Sequence, residues 1–436
     1  MRSKTSLNRR SFIGASLAGA ALVGTNRAGF AQDATPAASP VAKEFVPSKV
    51  AERATGKIRF SSFDDATAQE RVNELLAMFS ERYPNIEVSF EPIAADYLTK
   101  VQTDIAAENA ADVFYVQNEY AQDFMSRNVL LAIDDYMAED GVSADEYFTP
   151  LINAYTWQGS LYGLPKDWSP LGAVYDPEVF SAAGVEEFPT DWDGLKSTLQ
   201  AIKDSTGSPG LIIDPNFDRF IAFLYQAGGN ILNEDATEIV IDSDATIQAL
   251  EYMYGLYQDG LISPAADIGA GWPGDAFAQS LAPLVFEGNW MFPFLELNAP
   301  DKQFAVAELP AGPAGKGTPA FTNSYSIYAG SKNPDAAWVF VNYMTSYEAA
   351  QKHNASGLAI PARVDLEGDY LANFPERAPY LEAGQYATAV QYGPGGQKFA
   401  GNASAALQSL WAGQIDVATC KQQIVEAANS DINVGG

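Results

Sequence analysis

Glu287-Gly288-Asn289-Trp290 sets a tryptophan beside a glycine at the end of an apolar run, Pro283 to Phe286, that reads as a strand. A ring so placed either packs into the core or stands free to stack on a flat apolar surface. Three other stretches, Ser61 to Asp65, Glu91 to Asp96 and Gln117 to Tyr120, also follow strand-like runs, and they carry carboxylates, amides and phenols with little positive charge. Such groups suit non-covalent recognition of a small polar solute. Covalent chemistry has less behind it. His353 is the single histidine and Cys420 the single cysteine, which excludes an internal disulfide and most zinc patterns. No nucleophile elbow accompanies His353. Asp65 and Glu287 offer two carboxylates for glycoside hydrolysis, but nothing in their spacing fixes them across one bond. The segment GPAGKG, from Gly312, has two residues before its Gly-Lys where a phosphate loop needs four, and no strand there feeds a helix.

The elements that must position these groups follow from periodicity. Ile58 and Phe60 alternate with polar residues, as do Ile86, Val88 and Phe90, which predicts two strands. Between them Val72, Leu75, Leu76 and Phe79 form one helix face that stops at Tyr83-Pro84. A second helix, with Leu98, Val101 and Ile105 inward, leads to the buried-looking strand Asp112 to Val116, so the chain opens as βαβαβ. Ligands of such open sheets sit at the carboxyl ends of the strands, which is where the three polar stretches fall. Asp64 reads as a cap for the helix beginning near Ala66. Further on, Leu161 to Pro165 and Leu171 to Asp176 read as strands with a crossing between them at Lys166 to Pro170. Thr190 and Asp193 are candidate caps for a helix with Leu195, Leu199 and Ile202 inward. Tyr325 to Ala329 alternates as a strand, and two helices close the chain from about Asn402.

Residues 1–31 read as an export leader. Arg9-Arg10 and Phe12-Ile13 precede a small, apolar run, the pattern of a twin-arginine signal, and Ser11 to Gly24 is shorter than the roughly 20 residues of a spanning helix. No cysteine lies near the cleavage region, so no lipid anchor is expected and the product is expected at the periplasmic or extracellular face of the membrane. Residues 32–56 have the Ala, Pro and Ser content of a linker. The net charge of −29 becomes −34 without the leader's Arg2, Lys4, Arg9, Arg10 and Arg27. Nucleic acid and anionic membrane are therefore poor partners.

Four segments carry a resemblance by their order and spacing: ADVFYVQNEYAQDFMSRNVLLAIDDY, GSLYGLPKDWSPLGAVYDPEVFSAAGV, FEGNWM and SYSIYAGSKNPDAAWVFVNYM. From about Lys57 to the end the chain resembles the extracellular solute-binding proteins of bacterial ABC importers, in the branch that includes maltose and other oligosaccharide receptors. The resemblance implies an α/β, two-lobed periplasmic-binding-protein fold of type II, with hinge strands and a ligand cleft between the lobes. It assigns 57–167 and 314–356 to an N-terminal lobe and 168–313 and 357–436 to a C-terminal lobe. Lys166 to Pro170 and the stretch near Gly312 become hinges, which suits the backbone freedom of glycine. The chain is then a monomeric binding protein rather than an enzyme. It needs no cofactor, captures a carbohydrate by hinge closure and delivers it to permease subunits. By family position, Asp65, Asn118 and Glu119 of the first lobe reach the cleft, with Trp168 near the hinge. Asp218, Trp272 and Trp290 come from the second lobe, and Asn323 and Tyr325 lie on the strand returning to the first.

A pyranose has an apolar C–H face and a rim of hydroxyls, so aromatic platforms beside Asp, Glu, Asn and Gln are what its receptor requires. Tyr120 stands where the maltose receptor leads one to expect arginine, which counts against maltose itself. Acidic loops with aromatics suit a polyamine as well. A phosphorylated solute favours arginine, and the loops carry only Lys166, Arg219 and Arg363. Tyr115 and Tyr120 are too isolated to argue for iron.

Overall fold

In the computed structural model, which describes residues 45–434 apart from 65, 94, 234, 235, 356 and 358, the expected alternation becomes a parallel pair, Gly56–Ser62 beside Ile86–Pro92. The leader and most of the linker lie outside the described residues. Ala66–Arg82 is the intervening helix, and Val72, Leu75 and Phe79 are buried as their spacing predicts. Val113–Gln117 joins Gly56–Ser62 in parallel, completing βαβαβ.

Among the described residues this first sheet has seven strands. Its centre is Thr318–Ile327, antiparallel to Val113–Gln117 on one side and to Gly163–Pro170 on the other. That strand is ten residues long, where alternation marks only Tyr325 onward. Its first part, with Pro319, Thr322, Asn323 and Ser324, is too polar to read as a buried strand, yet Thr322 and Ser324 are buried beneath both neighbours. The rings of Phe60, Tyr115, Tyr325 and Phe340 meet at centroid separations of 5.0–6.2 Å and form the centre of one core.

A second sheet runs Ala305–Ala307, Gly172–Tyr175, Leu284–Glu287, Leu211–Ile212, Ile262–Ser263. Leu195, Leu199, Ile202, Phe220, Leu250 and Phe286 pack in a separate core with the closing helices, Gly396–Trp411 and Val417–Asp431. The helix cap expected at Thr190 or Asp193 is Asp191, whose extended backbone lets its Oδ1 accept from Gly194 N–H at 2.8 Å.

The chain crosses between the sheets at Leu171, not over Lys166 to Pro170. Those five residues stay in the first sheet because Trp168, Ser169 and Pro170 pair with Thr322, Phe321 and Ala320. The return runs from Ala307 through the Gly312–Gly315 turn to Thr318. Gly312 owes its identity to close packing: a Cβ there would come within 2.6 Å of the Gln226 carbonyl oxygen. Past Ile360–Pro361 and Ala387–Ala389, which both pair into the first sheet, the chain enters the second core at Val390.

Candidate functional site

The carboxyl ends of Gly56–Ser62 and Val113–Gln117, the adjoining parts of Gly163–Pro170 and Thr318–Ile327, the start of helix Phe217–Gln226 and the tip after Leu284–Glu287 enclose a cleft of about 480 Å³. That size is within the range of small-molecule sites.

Its aromatic surfaces are Phe63, Trp168, Trp290 and Phe321. Trp168 is 2% exposed, fixed by strand pairing to Thr322 and Ile360 and by its ring against Phe148 at 5.5 Å. Its indole Nε1 has no hydrogen-bond partner among the described residues. Trp290 follows its strand as expected, donates from Nε1 to Glu287 Oε2 at 2.9 Å and meets Phe321 edge-on at 5.8 Å. The neighbouring glycine is explained by this pose, because a Cβ on Gly288 would lie 2.2 Å from the indole ring.

Charge enters in two buried clusters. Lys166 Nζ bonds Asp167 Oδ2 and lies 3.2 Å from His353 Nε2. Burial alone raises the Asp167 pKa, but Lys166 and His353 outweigh it and hold the carboxyl well below the usual range; burial, then Lys166, lowers that of His353. Asp167 Oδ1 accepts from Asn323 Nδ2 at 3.2 Å, while the buried Asn323 Oδ1 has no partner among the described residues. In the second cluster Arg219 grips the fully buried Glu287 through contacts of 2.7 and 3.3 Å. Asp64 is buried, and its Oδ2 has no partner among the described residues. Glu119 is pushed up to about 7, first by burial and then by the charge of Asp218, which itself accepts from Tyr392 O–H.

Of the expected site residues, Glu119, Trp168, Asp218, Trp290 and Asn323 meet at this cleft. Asn118 does not line it: both amide hydrogens go to the Ala320 and Val390 carbonyls and its Oδ1 accepts from Thr322 N–H, so it staples a helix start to two segments. Tyr325 lies in the core, its hydroxyl 3.3 Å from that of Tyr115. Trp272 precedes helix Pro273–Ala278 and packs on Phe294 at 4.9 Å, also away from the cleft lining. Asp65 lies outside the described residues. The sequence reading missed Asp64, Asp167, His353 and Phe321. A register shift opposite Asn323 and Ser324 leaves Lys166 as an extra residue, so Lys166 and Asp167 both line the cleft instead of alternating across the strand. Glu287 is no free member of a hydrolytic pair, since Arg219 and Trp290 hold both its oxygens.

Glu119 yields a pH prediction. Its folded pKa lies above the ordinary value of 4.5, so the folded state holds the proton more tightly and stability falls as pH rises from about 4.5 to about 7. Glu119→Gln should raise the melting temperature at pH 8 and much less at pH 5. A pH-independent difference in thermal melts would contradict this.

Two α/β sheets, joined by chain crossings beside a polar and aromatic cleft, define a two-lobed solute-binding protein. The chain belongs to the bacterial extracellular solute-binding protein family, whose model matches residues 61–351. A maltotriose-binding protein of Pyrococcus abyssi is 27% identical over 311 residues, 69% of this chain and 64% of that protein. An ABC substrate-binding protein of Listeria monocytogenes, solved in complex with cycloalternan, superposes with a TM-score of 0.77 at 23% identity, over 86% of this chain and 98% of that one. The GacH receptor of Streptomyces glaucescens, solved unliganded and with acarbose, gives 0.76 at 23% identity, over 87% and 100%.

Proposed function

We propose that the protein captures a sugar or oligosaccharide outside the cytoplasm and delivers it to the permease of an ABC importer, acting by binding and not by catalysis. The observation that carries this reading is that three residues lining one cleft beside the ring of Trp290 each hold a buried polar atom with no partner among the described residues: Trp168 Nε1 as donor, Asn323 Oδ1 and Asp64 Oδ2 as acceptors. A buried polar atom without a partner costs free energy unless something arrives to bond it. A sugar hydroxyl both donates and accepts, and the C–H face of the ring suits indole. The sugars named for the relatives support the same ligand class.

In this reading the lobes follow the two sheets, with 168–170, Ile360–Pro361 and Ala387–Ala389 in the first lobe because they pair there, and they close about the crossings near Leu171 and between Ala307 and Thr318. A thermal-shift screen of neutral and amino-bearing glycans should find stabilising ligands, and X-ray scattering should then record a smaller radius of gyration at saturation. An unchanged radius would count against hinge closure.

Export follows the twin-arginine route in this reading, on the strength of Arg9-Arg10, and the exported protein works as a monomer. Replacing both arginines by lysine should stop export. Undiminished secretion of that variant would refute the routing.

A further inference from the structure

The charges of the cleft do not cancel. Its two permanent cations are already engaged, Lys166 by Asp167 and Arg219 by Glu287. His353, buried behind Lys166, is kept from charging by burial and by that ammonium. Asp64, Glu119 and Asp218 remain on the wall, and no ion pair joins any of them to a cation among the described residues. Asp218 has a neutral donor, the Tyr392 hydroxyl. Asp64, 7% exposed, has an oxygen with no partner among the described residues.

An excess of carboxylates alone would mean little, since acidic groups often serve only solubility. Here an independent feature marks the same space as a ligand seat: Trp168, which lines it and is 2% exposed, holds an indole Nε1 with no hydrogen-bond partner among the described residues. Shutting water out from around unpaired carboxylates is costly, because each loses hydration with no counter-charge to replace it. Neutral hydroxyls satisfy the hydrogen bonds but leave the charge. An ammonium supplies both, through charge-assisted bonds roughly twice as strong as neutral ones.

We infer that the sugar held in this cleft carries a protonated amine, as an amino sugar or an amine-linked oligosaccharide, with the ammonium on the Glu119 and Asp218 side. This rests on the sugar reading above. Burial first, and then the charge of Asp218, hold the Glu119 proton, and a cation between the two carboxylates offsets both.

Calorimetric titration at pH 7.5 with two matched series tests the inference: chitobiose, N,N′-diacetylchitobiose and cellobiose, then acarbose and maltotetraose, with spermidine as a sugar-free amine. In at least one series the amine-bearing member should bind tenfold or more tightly than its neutral counterpart. For the chitobiose series, acetylation should remove the advantage, a ligand-side control that needs no variant. Glu119→Gln and Asp218→Asn should each shrink the advantage severalfold. Equal or tighter binding of the neutral members, or no binding by either amine-bearing sugar, would overturn the cation seat and leave the sugar reading standing if neutral sugars bind. Heat with spermidine and none with any sugar would overturn both.

Discussion

Trp290→Ala is expected to weaken sugar binding by about 3 kcal/mol, roughly a hundredfold in Kd. Loss of one stacking face removes on the order of 100 Å² of apolar burial at about 25 cal/mol per Å², and the aromatic contact adds about 0.5–1.5 kcal/mol. Stability should fall less, by about 1–2 kcal/mol. The ring is only partly buried, and Glu287 keeps its two contacts to Arg219 when the indole donor is lost. Trp290→Phe, which keeps a flat face, should recover much of the affinity. Calorimetry and denaturant melts on the same variants separate the roles. A variant destabilised by about 3–5 kcal/mol, the cost of a core cavity, that still binds normally would place Trp290 in the core and not in the site.

Lys166→Met is expected to cost about 3–5 kcal/mol of stability at neutral pH, because it leaves Asp167 buried without its cation. The pH dependence follows from the direction of the shift. In the native protein the Asp167 pKa is depressed, so its contribution is fully present above the unfolded value of about 3.9 and is lost as pH falls through the folded one. In the variant Lys166 no longer keeps His353 from charging, so as pH falls the folded state takes up a proton on the His353 and Asp167 pair. The deficit should therefore be largest near pH 7 and narrow towards pH 4–5 in urea melts. Adding Asp167→Asn should recover a large part of it. A deficit that stays constant with pH would contradict the assignment of this pair.

How far the sequence reveals this site depends on how local each cause is. The opening βαβαβ unit follows from apolar spacing within single segments, and the place of Trp290 after a strand follows from a glycine two residues before it. Asn118 and Tyr325 have side-chain types that suit a cleft. Whether such a side chain meets ligand or backbone is decided by partners far along the chain, Ala320 and Val390 for Asn118 and Phe340 for Tyr325. The Lys166, Asp167 and His353 cluster needed two facts that no local pattern carries. One is a register shift against the strand Thr318–Ile327; the other is a histidine 187 residues away in sequence. The sequence offers Asp64 only as a candidate helix cap, and its oxygen without a partner among the described residues emerges only when the cleft is assembled around it.

A crystal structure of the protein with the tightest ligand from the glycan screen tests the central claim most directly. The sugar should lie in the cleft of about 480 Å³, one face against Trp290, with its polar groups bonded to Trp168 Nε1, Asn323 Oδ1 and Asp64 Oδ2. A sugar bound elsewhere, or one in the cleft that leaves those three atoms without partners, would contradict it.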